Sequence, residues 1–263
     1  MNSGGYGIQG RRKEMEDEHV IMNFPSEKCR VVLFAAVFDG HCGNASAKYC
    51  AKKLFPTLVA NQKKILADSS NMDEYIKQSC FQLDSKLRKH LDGSFSGTCA
   101  CFVMVTENEY IISNIGDSRY LLCRNGLTEF ATVDHKPILA SEYDRIKKAG
   151  GFVFMGRVNG DLAVARSFGD FRFKDSFDLE HSAQKITCEP TVTIIKRDIY
   201  DEFMVLACDG FWDVFSNEDA VEHVIELQKY FGNNAKIISE KLTQIAYEKG
   251  SLDNITVVVI LFE

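Results

Sequence analysis

The sequence predicts an α+β fold in which antiparallel β-sheets pack face to face as a sandwich, flanked by helices. Three observations carry this. Strand segments arrive in consecutive runs joined by tight turns, helical segments arrive in pairs, and the regular strand–helix alternation of a doubly wound sheet is absent.

The glycine-rich start, Gly5-Tyr6-Gly7-Ile8-Gln9-Gly10, matches GxGxxG. No strand precedes it, so it reads as turn glycines rather than a nucleotide cradle. No VAIK, HRD or DFG follows, which excludes a kinase. The apolar run over 31–38 predicts a buried strand. Ala47, Cys50, Ala51, Leu54, Phe55 and Leu58 then recur at helical spacing, as do Met72, Tyr75, Ile76, Cys80, Leu83, Leu87 and Leu91. Each set describes a helix with one apolar face. Strands follow over 98–105, 109–115, 119–123 and 127–131. Thr106-Glu107-Asn108 and Arg124-Asn125-Gly126 make the turns, because Asn-Gly readily takes positive φ. A helix over 142–149 ends at Gly150-Gly151. The stretch 171–189 lacks periodicity and reads as an exposed loop or flap. Strands over 192–196 and 202–208 come next. A helix N-capped by Ser216 runs to about Phe231, a second covers 235–249, and a last strand covers 255–262.

Composition narrows the function. At 263 residues with few prolines and no low-complexity linker, the chain is expected to be one domain. A net charge of −6 argues against nucleic acid as the main partner. No run reaches the roughly 18 apolar residues of a membrane span. The N-terminus carries no apolar signal core, and Asn2 removes the myristoylation pattern. Nine scattered cysteines without a CxxC pair read as small buried hydrophobes in a reducing compartment. The expectation is a monomer, cytoplasmic with the nucleus as an alternative, working away from membranes.

Four acidic segments point to chemistry: Glu14-Met15-Glu16-Asp17, Asp39-Gly40-His41, Asp209-Gly210 and Asp253-Asn254. Asp39, Asp209 and Asp253 each stand where an apolar run meets a loop. Any one alone reads as a turn residue. Together they would repel one another at the edge of an apolar interior unless a hard divalent cation neutralises them. The glycine after two of these aspartates lets backbone approach such an ion. Arg12 beside the first cluster is placed to grip a phosphate with paired hydrogen bonds. His41 is placed to donate a proton.

Beyond these residues, the chain resembles the metal-dependent serine/threonine protein phosphatases of type 2C, the PPM family. The resemblance rests on ordered segments that run from end to end. They include Gly10-Arg11-Arg12-Lys13-Glu14-Met15-Glu16-Asp17, Phe38-Asp39-Gly40-His41-Cys42-Gly43 and Asn114-Ile115-Gly116-Asp117-Ser118-Arg119. Asp134-His135-Lys136-Pro137, Leu162-Ala163-Val164-Ala165-Arg166-Ser167-Phe168-Gly169-Asp170, Ala207-Cys208-Asp209-Gly210-Phe211-Trp212-Asp213 and Asp253-Asn254-Ile255-Thr256 continue the series. The resemblance implies a four-layer αββα sandwich, helices on both outer faces. It also implies two Mg²⁺ or Mn²⁺ ions in a cleft at one end, with a weaker third. It assigns Asp39 to bridge the two ions, Asp209 and Asp253 to complete one shell, and the Gly40 carbonyl to the other. Glu16 is to act mainly through water, Asp17 to orient the attacking water, and Asp117, Asp209 and Asp213 to serve the third ion. Arg12 is implied to bind phosphate and His41 to be the general acid. Phosphoserine and phosphothreonine in proteins are the implied substrates, cleaved by direct attack of activated water without a phosphoenzyme. No cysteine has an arginine six positions on, in keeping with that. The chain is expected to be a bare catalytic domain with its flap near 171–189. The lone tryptophan, Trp212, leaves that flap without one, so hormone-receptor docking of the plant kind is not expected. Two alternatives stand beside this reading. One is a pseudophosphatase that only scaffolds partners, and every expected ligand being present argues against it. The other is a two-metal hydrolase of nucleotides or nucleic acid, which the acidic balance disfavours.

Overall fold

The computed structural model describes residues 1–24, 30–60 and 71–262. One sheet has the order β1-β13-β12-β6-β7, built from β1 (Asn2–Ile8), β13 (Ile255–Leu261), β12 (Asp201–Ala207), β6 (Arg119–Arg124) and β7 (Leu127–Ala131). The other has the order β11-β5-β4-β3-β2, from β11 (Thr191–Lys196), β5 (Glu109–Ile115), β4 (Gly97–Thr106), β3 (Val31–His41) and β2 (Glu18–Asn23). The short β10 (Phe168–Gly169) adds to β4, and β8 (Val153–Phe154) pairs with β9 (Arg157–Val158). All the pairings between these strands are antiparallel.

The continuous apolar runs follow from burial on both sheet faces. Along β3, Leu33, Ala35 and Val37 pack between the sheets with Val103, Ile112, Leu122, Leu206 and Val258. The alternate residues Phe34, Ala36 and Phe38 pack outward against helices α1 (Ala45–Val59) and α2 (Met72–Leu91). Val257, Val259 and Leu261 of β13 likewise face α5 (Asn217–Phe231) and α6 (Ala235–Glu248). The result is helices, sheet, sheet, helices. Each fully buried Val, Leu or Phe in these layers contributes about 1.5–3 kcal/mol. Among the described residues, two further helices are α3 (Ala140–Lys148) and the short α4 (Asp209–Trp212).

Several local signals act as expected. Asn125 and Gly126 hold φ of 52° and 71° in the β6–β7 turn. Ser216 Oγ accepts from Asp219 N at 3.0 Å while Asp219 returns a bond to Ser216 N, a reciprocal cap on α5. Gly150, at φ 79°, ends α3 with its N–H on the Lys147 carbonyl.

Two expectations need correction. Gly5 and Gly7 are not turn residues; they lie inside β1. Helix α6 crosses that strand so closely that a Cβ on the neighbouring Gly4 would overlap the backbone of Lys236. Strand β2 carries no long apolar run in the sequence, because its residues are only half-buried and charges surround it. The stretch 171–189 is irregular, with 3₁₀ turns at Phe171–Phe173 and His181–Ala183, but it is not simply exposed. Phe173, Ile186 and Cys188 are buried, and Lys174 reaches Asp84 at 2.8 Å.

Antiparallel order gathers the site. The ends of β1, β3, β5 and β12 and the starts of β2, β4, β6 and β13 all meet at one end of the sandwich, since Ile8 pairs with Ile255, Asp39 with Cys99 and Ala207 with Val257. Residues remote in sequence therefore share one rim.

Candidate active site

Asp39 sits near the end of β3, on the rim between both sheets. Its carboxylate lies within 4.8 Å of those of Asp117 and Asp209, and a second group of the same tightness joins Asp39 with Asp17 and the Cys208 thiol. Asp117 is delivered by the β5–β6 turn and Asp209 by the first residue of α4. The backbone N–H of Asp209 donates to Asp39 Oδ2 at 3.4 Å. Beside Asp39, a Cβ at Gly40 would overlap the Glu16 carbonyl oxygen, so only glycine admits the β1–β2 loop against β3.

The electrostatics are those of crowded negative charge. Burial, then Asp209, Asp17, Asp117 and Asp253, hold the Asp39 carboxyl well above its ordinary range. Burial and then Asp117 and Asp253 push Asp209 up to about 8, partly opposed by Lys136. Burial raises Asp17 to about 6, opposed by a 2.7 Å hydrogen bond from Thr256 Oγ1. Burial also raises Asp213, which lies one turn after Asp209. Such a cluster holds protons unless a cation replaces them. The donor chemistry fits a hard divalent ion, because the converging atoms are carboxylate oxygens. Burial raises the Cys208 thiol well above its usual value, so it stays protonated and unsuited to metal.

The remaining expected residues line the same rim without joining these two groups. Arg12 pairs with Asp253 Oδ2 at 2.5 Å and is half exposed, free to meet a ligand. Glu16 Oε1 accepts from the backbone N–H of Gly43. His41 Nε2 meets Asp170 Oδ2 at 2.7 Å. Burial alone would lower the His41 pKa, but Asp170 outweighs it and raises the ring above its ordinary value.

Residues outside the expected set complete the site. Lys136 Nζ binds Asp117 Oδ2, and Asp117 with Asp209 and Asp213 outweigh burial to raise its pKa. Asn254 clamps the arginine-bearing loop: its Nδ2 donates to the carbonyls of Gln9 (2.8 Å) and Glu14 (2.9 Å), and its Oδ1 accepts from Glu16 N at 2.8 Å. No sequence spacing signals either contact.

His135 supports Asp117 from beneath. Its Nδ1 accepts from Gly116 N at 3.2 Å and its Nε2 lies 2.9 Å from Thr191 Oγ1. Burial, reinforced by Arg166 and Arg145, lowers its pKa to about 4. The unfolded chain therefore binds a proton that the folded one refuses. Stability from this residue is whole above about pH 6.5 and is lost as the pH falls toward 4, by about 3 kcal/mol in full. Urea unfolding at pH 7 and pH 5 is expected to show a shallower pH dependence in His135→Asn than in the parent. Equal slopes would remove His135 as the cause.

Comparison with known proteins places this architecture. The profile described as Protein phosphatase 2C matches residues 1–255. The chain is 36% identical over 273 residues to Protein phosphatase 1B of Rattus norvegicus, covering 98% of this chain and 70% of the relative. A solved phosphatase from a pathogenic strain of Toxoplasma gondii superposes with a TM-score of 0.86 at 25% identity, covering 99% of this chain and 92% of that one. A C. elegans sex-determining protein superposes with a TM-score of 0.80 at 26% identity, and there 98% of this chain spans 64% of the other.

Proposed function

The chain belongs to the protein phosphatase 2C family and is a protein serine/threonine phosphatase, and from that premise we propose that two Mg²⁺ or Mn²⁺ ions in the rim site serve its reaction on phosphoserine and phosphothreonine. The observation that carries this is the convergence of Asp39, Asp117 and Asp209 beside Arg12 and His41.

Asp39, Asp209 and Asp253 would hold the pair, with Asp17, Glu16 and the Gly40 carbonyl in support. Asp117 and Asp213 would serve a weaker third ion. Ions held there supply positive charge for the phosphoryl oxygens and a nucleophilic water at neutral pH. Arg12 binds and orients the phosphate: its guanidinium is exposed and already aimed by Asp253. His41 gives a proton to the departing side-chain oxygen. Lys136 offsets part of the negative charge on Asp117 and fixes that carboxylate. No cysteine serves as nucleophile, and burial raises the thiol pKa at Cys50, Cys80, Cys99, Cys101 and Cys188 as at Cys208. The same reading has a monomer acting on phosphoproteins in the cytoplasm or nucleus, with net charge −6 against a nucleic-acid substrate.

Phosphate release from a phosphothreonine peptide, with and without Mn²⁺ or Mg²⁺, tests it. Release should require the metal and fall at least about 100-fold in Asp209→Asn. Release without metal, or unchanged in the variant, would discard the metal-centred reading. A folded protein inactive at every metal concentration would favour a scaffold.

A further inference from the structure

Resting on that phosphatase reading, we propose that Asp170 is a positioning residue for the reaction: it fixes the His41 ring in one tautomer and orientation, with Nδ1 presented to the departing serine or threonine oxygen. Asp170 is fully buried, and its Oδ2 takes both His41 Nε2 at 2.7 Å and the Ser167 hydroxyl at 2.6 Å. Facing a carboxylate oxygen, Nε2 carries hydrogen, so Nδ1 is the nitrogen left for a substrate. No hydrogen bond within the described residues engages Nδ1.

The surrounding chain is built around this contact at a cost. Asp170 adopts φ 51°, ψ 39°, a left-handed conformation uncommon outside glycine. On the facing strand, a Cβ at Gly97 would overlap both His41 Nε2 and Asp170 Oδ2, so glycine there leaves the space in which the two meet. The other oxygen, Oδ1, is buried without a hydrogen-bond partner among the described residues. A buried carboxylate with one idle oxygen is a poor structural choice. It suits a group retained for what its other oxygen orients.

The chemistry explains the need. As the water oxygen bonds phosphorus, the bond from phosphorus to the side-chain oxygen breaks and leaves its electron pair on that oxygen. That oxygen takes the proton from His41 Nδ1, and the proton given up by the attacking water restores the imidazolium. An alkoxide is a poor leaving group and needs this proton, whereas p-nitrophenolate leaves without it.

Leaving-group dependence therefore separates positioning from structure. The parent, His41→Asn, Asp170→Asn and the double variant are compared on a phosphothreonine peptide and on p-nitrophenyl phosphate at saturating Mn²⁺. Asp170→Asn should lower kcat on the peptide by about 10- to 100-fold with KM little changed, and alter aryl turnover by less than about 3-fold. The double variant should be no slower than His41→Asn, because the two residues act as one unit. Equal losses on both substrates, or a compounded loss in the double variant, would overturn the proposal and leave the phosphatase reading intact. A parent inactive on both substrates would overturn both. Should Asp170→Asn not fold, Ser167→Ala decides: a loss confined to the peptide supports the proposal, and an unchanged ratio of the two rates refutes it.

Discussion

Asp39→Asn is expected to abolish turnover while making the metal-free protein more stable. Asp39 is common to both side-chain clusters at the rim, so removing its charge would weaken each cation position proposed there. On the metal-centred reading proposed above, Lewis-acid stabilisation of several kcal/mol would depend on those positions, which corresponds to a loss of about 10³-fold or more in kcat/KM. The opposite sign in stability comes from the same carboxylate. Burial first, then Asp209, Asp17, Asp117 and Asp253, raise its pKa in the folded state. A carboxyl raised on folding contributes most in acid, and that contribution is lost as the pH climbs past its unfolded value. Near neutral pH the folded, metal-free protein bears the cost, and Asn removes it. Unfolding midpoints in EDTA at pH 7 should rise in the variant, and added Mn²⁺ should stabilise the parent more than the variant. A variant that is active, or that is less stable than the parent in EDTA, would contradict this account.

Asn254→Ala should be the most damaging neutral substitution at the site. The residue is buried, and its amide makes three hydrogen bonds to the backbone of the loop carrying Arg12 and Glu16. Alanine leaves those backbone groups without partners at a half-buried seam, at a cost of about 3 kcal/mol in stability. Because Arg12 rides on that loop, KM for a phosphopeptide should rise as well. Chemical denaturation and steady-state kinetics on one preparation check both. A stability within about 0.5 kcal/mol of the parent would show that the loop is held by other contacts.

The regular elements were legible because apolar periodicity records which face is buried. Strands 31–38, 98–105 and 255–262 announced themselves as continuous runs, and the structure buries both of their faces. The helix caps at Ser216 and Gly150 were equally local and equally readable. Strand β1 was not, since its Gly4 answers to a helix more than 200 residues away. Asp39, Asp209 and Asp253 could be singled out by their place at the ends of apolar runs, because a carboxylate there is expensive enough to need a reason.

What neither pattern nor composition contains is distance across the fold. That Asp117 and Asp209 meet Asp39 while Glu16 turns to the Gly43 backbone follows from strand order and register. The same holds for Lys136 on Asp117, Asn254 on the Glu16 loop and Asp170 on His41, where partners lie 19, 238 and 129 positions apart. Periodicity is a local consequence of which side of a strand or helix leaves water. Convergence is decided only when the sheets close on each other and their ends are drawn to a common rim.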